Sequence, residues 1–138
     1  MNATLTVTDL LDAAHKSAAT FTKPAQIEAA SVELAAAFEA RMQHHFKRGP
    51  FYKKLHKLLM TSGNTDLAKQ VHHYSVAVSV IKHGPGASYR ELKSIPDLPF
   101  TIRTPAAEPH TLVDVTTGGF FARLVETLEQ AHQFLEAR

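Results

Sequence analysis

Leu67, Val71, Tyr74, Val78 and Ile81 are separated by four, three, four and three residues, the spacing that lines side chains along one stripe of an α-helix. The same rhythm returns in Ile27, Ala30, Leu34, Ala37, Phe38 and Met42, in Phe51, Leu55, Leu58 and Leu59, and in Phe121, Leu124, Val125, Leu128, Ala131, His132 and Leu135. Glycine and proline stand between these windows at Arg48-Gly49-Pro50, Ser62-Gly63 and His83-Gly84-Pro85-Gly86, where they stop helices. A chain punctuated in this way must bury its stripes by packing helix on helix.

The stripes and stop signals predict helices near 9–20, 24–47, 51–62, 66–83 and 118–136, with a further helical turn around 88–94. Thr8 with Asp9 is the expected cap of the first helix, and Thr22 with Pro24 opens the second. Pro50 pushes Gly49 out of helical conformation, so the second helix is expected to run to about Lys47. Residues 98–115 hold several prolines and two short apolar runs, Phe100 to Arg103 and Leu112 to Val115, which pair as a small β-hairpin or form an irregular loop. The expected fold is all-α: a four- or five-helix bundle, mostly antiparallel, in one domain over residues 1–138. Its core is expected from Leu34, Phe38, Leu58, Leu67, Tyr74, Val78, Ile81, Leu124 and Leu128.

The chain contains no cysteine, which excludes disulfides, thiolate metal sites and cysteine nucleophiles together. Its start carries no basic segment followed by a long apolar run, and no window approaches a membrane span, so the expectation is a cytoplasmic protein with no membrane partner.

The net charge of +2 conceals a block pattern. Residues 1–40 carry five acids against two bases, residues 41–93 ten bases against two acids, and residues 94–138 six acids against three bases. The central block is therefore +8 between two blocks of −3. Arg41, Lys47, Arg48, Lys53, Lys54 and Lys57 fall within it with no acid between them, interleaved with Phe46, Phe51 and Tyr52. Such a face attracts phosphates through counterion release, and aromatic rings stack on bases, so these six residues are the candidate nucleic-acid contacts.

The nine histidines raise metal binding as an alternative. His44-His45 and His72-His73 are neighbours, which on a helix point about 100° apart, and no acid lies between Glu39 and Asp66 to share a site. No HExxH, GxSxG or phosphate-loop pattern occurs. The residues therefore predict neither a metal nor a cofactor.

His83 allows two readings. As the last residue before Gly84 it suits a helix C-terminus, where an imidazolium meets the negative end of the dipole. Alternatively His73, Val76, Val80 and His83 share a flank and turn two imidazoles toward a groove completed by Tyr89 and Arg90.

A central helix ending in Ser79-Val80-Ile81-Lys82-His83-Gly84, followed by a polar loop and a terminal helix, resembles the HEPN superfamily of small, mostly prokaryotic all-α domains. That resemblance implies a metal-independent ribonuclease or an inactive relative, with an R-x4-6-H motif acting on RNA at a homodimer interface. His83 and Gly84 match the end of the motif, but Val76, Ala77 and Val78 stand where the arginine belongs. The chain's only R-x4-6-H runs from Arg103 to His110, in the proline-rich segment. Cleavage would require Lys82, Arg90 or a residue of a second subunit to supply the missing cation, leaving Lys82 and His83 as the catalytic candidates. The resemblance favours a degenerate member that binds RNA or another phosphate-bearing ligand; the alternatives are a small-molecule or protein-interaction bundle and an active ribonuclease.

Overall fold

The structure is a computed structural model that describes residues 6–104 and 112–138. Among these residues it is an all-α bundle with a two-stranded excursion, in the order α1 (Val7–Ala18), α2 (Pro24–Met42), a 3₁₀ turn (Gln43–His45), α3 (Phe51–Thr61), α4 (Thr65–His83), α5 (Ala87–Lys93), β1 (Thr101–Ile102), β2 (Val113–Asp114) and α6 (Phe120–Glu136). The sixth helix is α5, which stands where a helical turn was expected near 88–94; its seven residues are too few to show a repeating stripe. The excursion is an antiparallel pair with Thr101 opposite Asp114 and Ile102 opposite Val113. No described helix is long and apolar enough to cross a membrane.

The helix starts follow local chemistry. Thr6, rather than Thr8, caps α1: its hydroxyl accepts from the Asp9 amide at 3.0 Å, satisfying a donor that the helix cannot pair. At α2 the Gln26 side chain reaches back to accept from the amides of Thr22 and Lys23 at 2.7 and 3.1 Å. The end of α3 is a Schellman turn, in which Gly63 takes a φ of +84° while its amide bonds to Met60 O and that of Asn64 to Leu59 O.

The largest departure from expectation is the end of α2, which stops at Met42, five residues before Lys47. A 3₁₀ turn follows, and Phe46 takes an extended conformation that brings its ring to 5.6 Å from that of Phe51. Tertiary packing, not the Gly-Pro stop, ends this helix. In consequence the rings of His44 and His45 do not diverge as they would on a helix; their centroids are 4.3 Å apart.

Helix α4 is the hub, packed against α2, α3, α5 and α6, while α1 closes the outside against α2 and α6. Its burial is accordingly wider than one stripe: Val71, Tyr74 and Val78 are buried as expected, and so are Ala68, Val76, Ala77 and Val80. Leu67 and Ile81, near its two ends, are only partly buried, and on α3 it is Phe51, Leu55 and Leu59 that enter the core while Leu58 lies at its margin. Leu34, Phe38, Leu124 and Leu128 are buried as expected. Phe100 and Phe120 join Tyr74 in a three-ring cluster with centroids 5.2–5.5 Å apart, which seats the β excursion on the bundle.

Candidate functional site

Helix α4 carries His72, Ser75 and Ser79 at intervals of three and four, so the three share a face. That face floors a cavity of about 320 Å³. The start of α3 supplies one wall through Tyr52, Lys53 and His56, α5 supplies another through Ser88 and Glu91, and Glu39 comes from α2. Its volume lies at the lower end of the range for small-molecule sites. A second cavity, of about 170 Å³, shares Glu39, Tyr52, Ser75 and Ser79 with the first and extends to Lys82 and His83. Together they form one groove along α4.

Two imidazoles from different helices meet in the larger cavity, His56 of α3 and His72 of α4, with ring centroids 5.1 Å apart. Glu91 fixes one of them, its Oε2 lying 3.2 Å from His72 Nε2. Burial pushes the His56 pKa below the ordinary imidazole value, the charge of His72 adds to this, and Glu91 opposes it. His56 is therefore held neutral near pH 7, with one ring nitrogen free to accept a proton or a hydrogen bond. Across the groove floor the hydroxyls of Ser79 and Ser88 are 2.8 Å apart, joining α4 to α5. Tyr52 is structural: its hydroxyl donates to Ala35 O at 2.6 Å, and burial pushes its pKa far upward.

The lowered His56 pKa has a pH consequence. Between the two states the unfolded chain protonates this ring first, so stability falls as pH drops below about 6.5 and the effect is absent above it. His73 is shifted the same way, mainly by burial and then by His72 and Lys69. His56→Gln is expected to lose less stability between pH 7 and pH 5 than the wild type in urea titrations at each pH. Equal losses would show that His56 is as free in the fold as in the unfolded chain.

Of the groove residues expected from sequence, only His83 lies in it, exposed at the end of α4 beside Lys82. His73 lines neither cavity. Tyr89 is buried, its hydroxyl donating to Arg103 O at 2.7 Å, so it supports the β excursion and does not face a ligand. Arg90 is exposed and lines neither cavity. The groove face runs through His72, Ser75 and Ser79, one residue out of phase with the flank inferred from His73. Ser75 and Ser79, set in the otherwise apolar run from Tyr74 to Ile81, were the signal for it.

The candidate phosphate contacts divide. Lys53 lines the larger cavity, and Lys54 and Lys57 are exposed on the same helix. Lys47 and Arg48 are exposed in the link before α3, whereas Arg41 is half-buried with its guanidinium donating to Ala37 O at 3.3 Å, on its own helix. Val76, Ala77 and Val78, where the ribonuclease arginine would stand, are all buried. His110 lies outside the described residues. No family model, curated protein or solved structure matches the chain, so the reading of the site rests on its chemistry.

Proposed function

We propose that this protein is a helical-bundle module that binds RNA or another phosphate-bearing ligand, as a catalytically degenerate relative of the HEPN type. The observation that carries this reading is the position of Lys53, which belongs both to the exposed lysine face of α3 and to the wall of the cavity holding His56 and His72. A phosphate backbone lying along Lys53, Lys54 and Lys57 directs a neighbouring base or phosphate to the groove. There the neutral His56 and the hydroxyls of Ser75, Ser79 and Ser88 offer hydrogen bonds. A homodimer belongs to the same proposal. With α2, α3, α5 and α6 packed around α4, the end of that helix at Lys82 and His83 is the part a second copy would reach.

The test is binding of labelled single-stranded RNA across a salt series. Changing Lys53, Lys54 and Lys57 together to Gln is expected to weaken binding and to reduce the slope of log affinity against log salt by about 2, at roughly 0.7 per phosphate contact. Absence of binding at low salt, or a slope indifferent to the three lysines, rejects the proposal.

A second reading, metal-independent RNA cleavage, has the imidazole pair in its favour: a neutral His56 beside a carboxylate-held His72 can move a proton from a ribose hydroxyl and return one to a leaving oxygen. Cleavage that persists in chelator and is lost in His56→Gln would establish this reading, and intact RNA would dismiss it.

A further inference from the structure

The early end of α2 creates a second constellation, separate from the groove. His44 and His45 sit on the 3₁₀ turn, and Glu136 reaches them from the last turn of α6. His45 Nε2 lies 3.1 Å from Glu136 Oε2, and the rings of His44 and His45 are 4.3 Å apart and tilted by 35°. One ligand atom from each of the three residues falls within 4.8 Å of the others.

We propose that His44, His45 and Glu136 bind a borderline transition-metal ion of the Zn²⁺ or Ni²⁺ class. Tetrahedral bonds of about 2.0–2.2 Å place neighbouring ligand atoms about 3.3 Å apart, so the His45–Glu136 pair already has this separation and small rotations of the His44 ring complete the set. Two imidazole nitrogens with one carboxylate favour this class over Mg²⁺ or Ca²⁺, which take oxygen ligands. Three protein ligands leave a fourth position to water or to a donor from another molecule. The fold presents the ligands on anchored backbone: buried Met42 precedes the turn and buried Leu135 precedes Glu136. The ion replaces the proton shared by His45 and Glu136 and fastens the C-terminal end of α6 to the end of α2.

The site stands apart from the RNA reading and is tested without it, by calorimetric titration of the full chain with Zn²⁺, Ni²⁺ and Mg²⁺ chlorides at neutral pH. One equivalent of Zn²⁺ or Ni²⁺ is expected to bind, Mg²⁺ is expected not to compete, and His45→Gln or Glu136→Gln should each weaken binding at least about tenfold. Should a variant fold poorly by circular dichroism, imidazole nitrogen resonances of the wild type decide: His44 and His45 must shift on adding Zn²⁺. Absence of Zn²⁺ and Ni²⁺ binding, shifts confined to other histidines, or loss of binding with His56→Gln but not with His45→Gln overturns the proposal.

Discussion

Replacing Phe51 by Ala is expected to lower the free energy of unfolding by about 3–5 kcal/mol, the range for deleting a buried aromatic ring. Phe51 is 1% exposed and is the first residue of α3, and its ring centroid lies 6.0 Å from that of Phe38, 5.6 Å from Phe46 and 5.0 Å from Tyr52. It therefore joins α2, the link after the 3₁₀ turn, and α3. Edge-to-face pairs such as these contribute about 0.5–1.5 kcal/mol beyond the area they bury. The same helix carries Lys53, His56 and Lys57, so loosening its start also displaces the groove wall and the lysine face. Urea denaturation followed by circular dichroism is the suitable measurement, because the chain has no tryptophan to report by fluorescence. Phe51→Leu, which keeps most of the volume, should cost clearly less. A loss below about 1 kcal/mol for the alanine variant would show that α3 is held elsewhere.

How far the sequence could be read depended on whether the deciding interaction was local. The extents of α3 and α4 were legible because a helical stripe ended at a glycine in each case, at Gly63 and Gly84. The end of α2 was not. His44, His45 and Phe46 carry only a mild helix preference, and what turns the chain at Met42 is the packing of Phe46 against Phe51, a contact that no window over α2 contains. The core was read too narrowly on α4 for a related reason: a single stripe assumes one buried face, whereas this helix is covered by four others and also buries Ala68, Val76, Ala77 and Val80. A sequence pattern cannot show how many neighbours a helix will have.

The candidate sites show the same division. The lysines of α3 were legible as exposed because they alternate with the apolar stripe of their own helix. The meeting of His56 with His72 was not, since it joins two helices, and Glu91 arrives from a third. For metal ligands, the sequence could compare only residues that lie near one another in the chain. That comparison sought an acid near His44 and His45, while the carboxylate beside them belongs to Glu136, 91 residues from His45. It also assumed helical geometry for a pair that sits on a 3₁₀ turn. Spacing rules for ligands hold only within one element, and here the fold itself assembles the group.

The most severe backbone constraint lies where the β excursion returns to α6, and Gly118→Ala is expected to cost about 2–5 kcal/mol there. Gly118 has a φ of +64°, in the left-handed region, where a side chain costs about 1–2 kcal/mol. A Cβ at this position would also overlap the Pro99 carbonyl oxygen and crowd the Pro99 carbonyl carbon, both backbone atoms that cannot swing aside. Relieving that overlap adds about 1–3 kcal/mol. The displaced segment would carry Phe100 away from Tyr74 and Phe120, and Thr101 away from the Thr117 hydroxyl that its amide bonds at 3.1 Å. Gly119 is the internal control. Its φ is +60°, yet a Cβ there meets nothing within 4 Å, so Gly119→Ala should show the conformational cost alone, about 1–2 kcal/mol. Urea titrations of the two variants separate the terms, since the excess for Gly118 measures how tightly the Pro99 carbonyl is held against the start of α6. Equal losses at the two positions would mean that the segment around Pro99 yields at little cost and that the ring cluster, not the backbone crossing, fixes the excursion on the bundle.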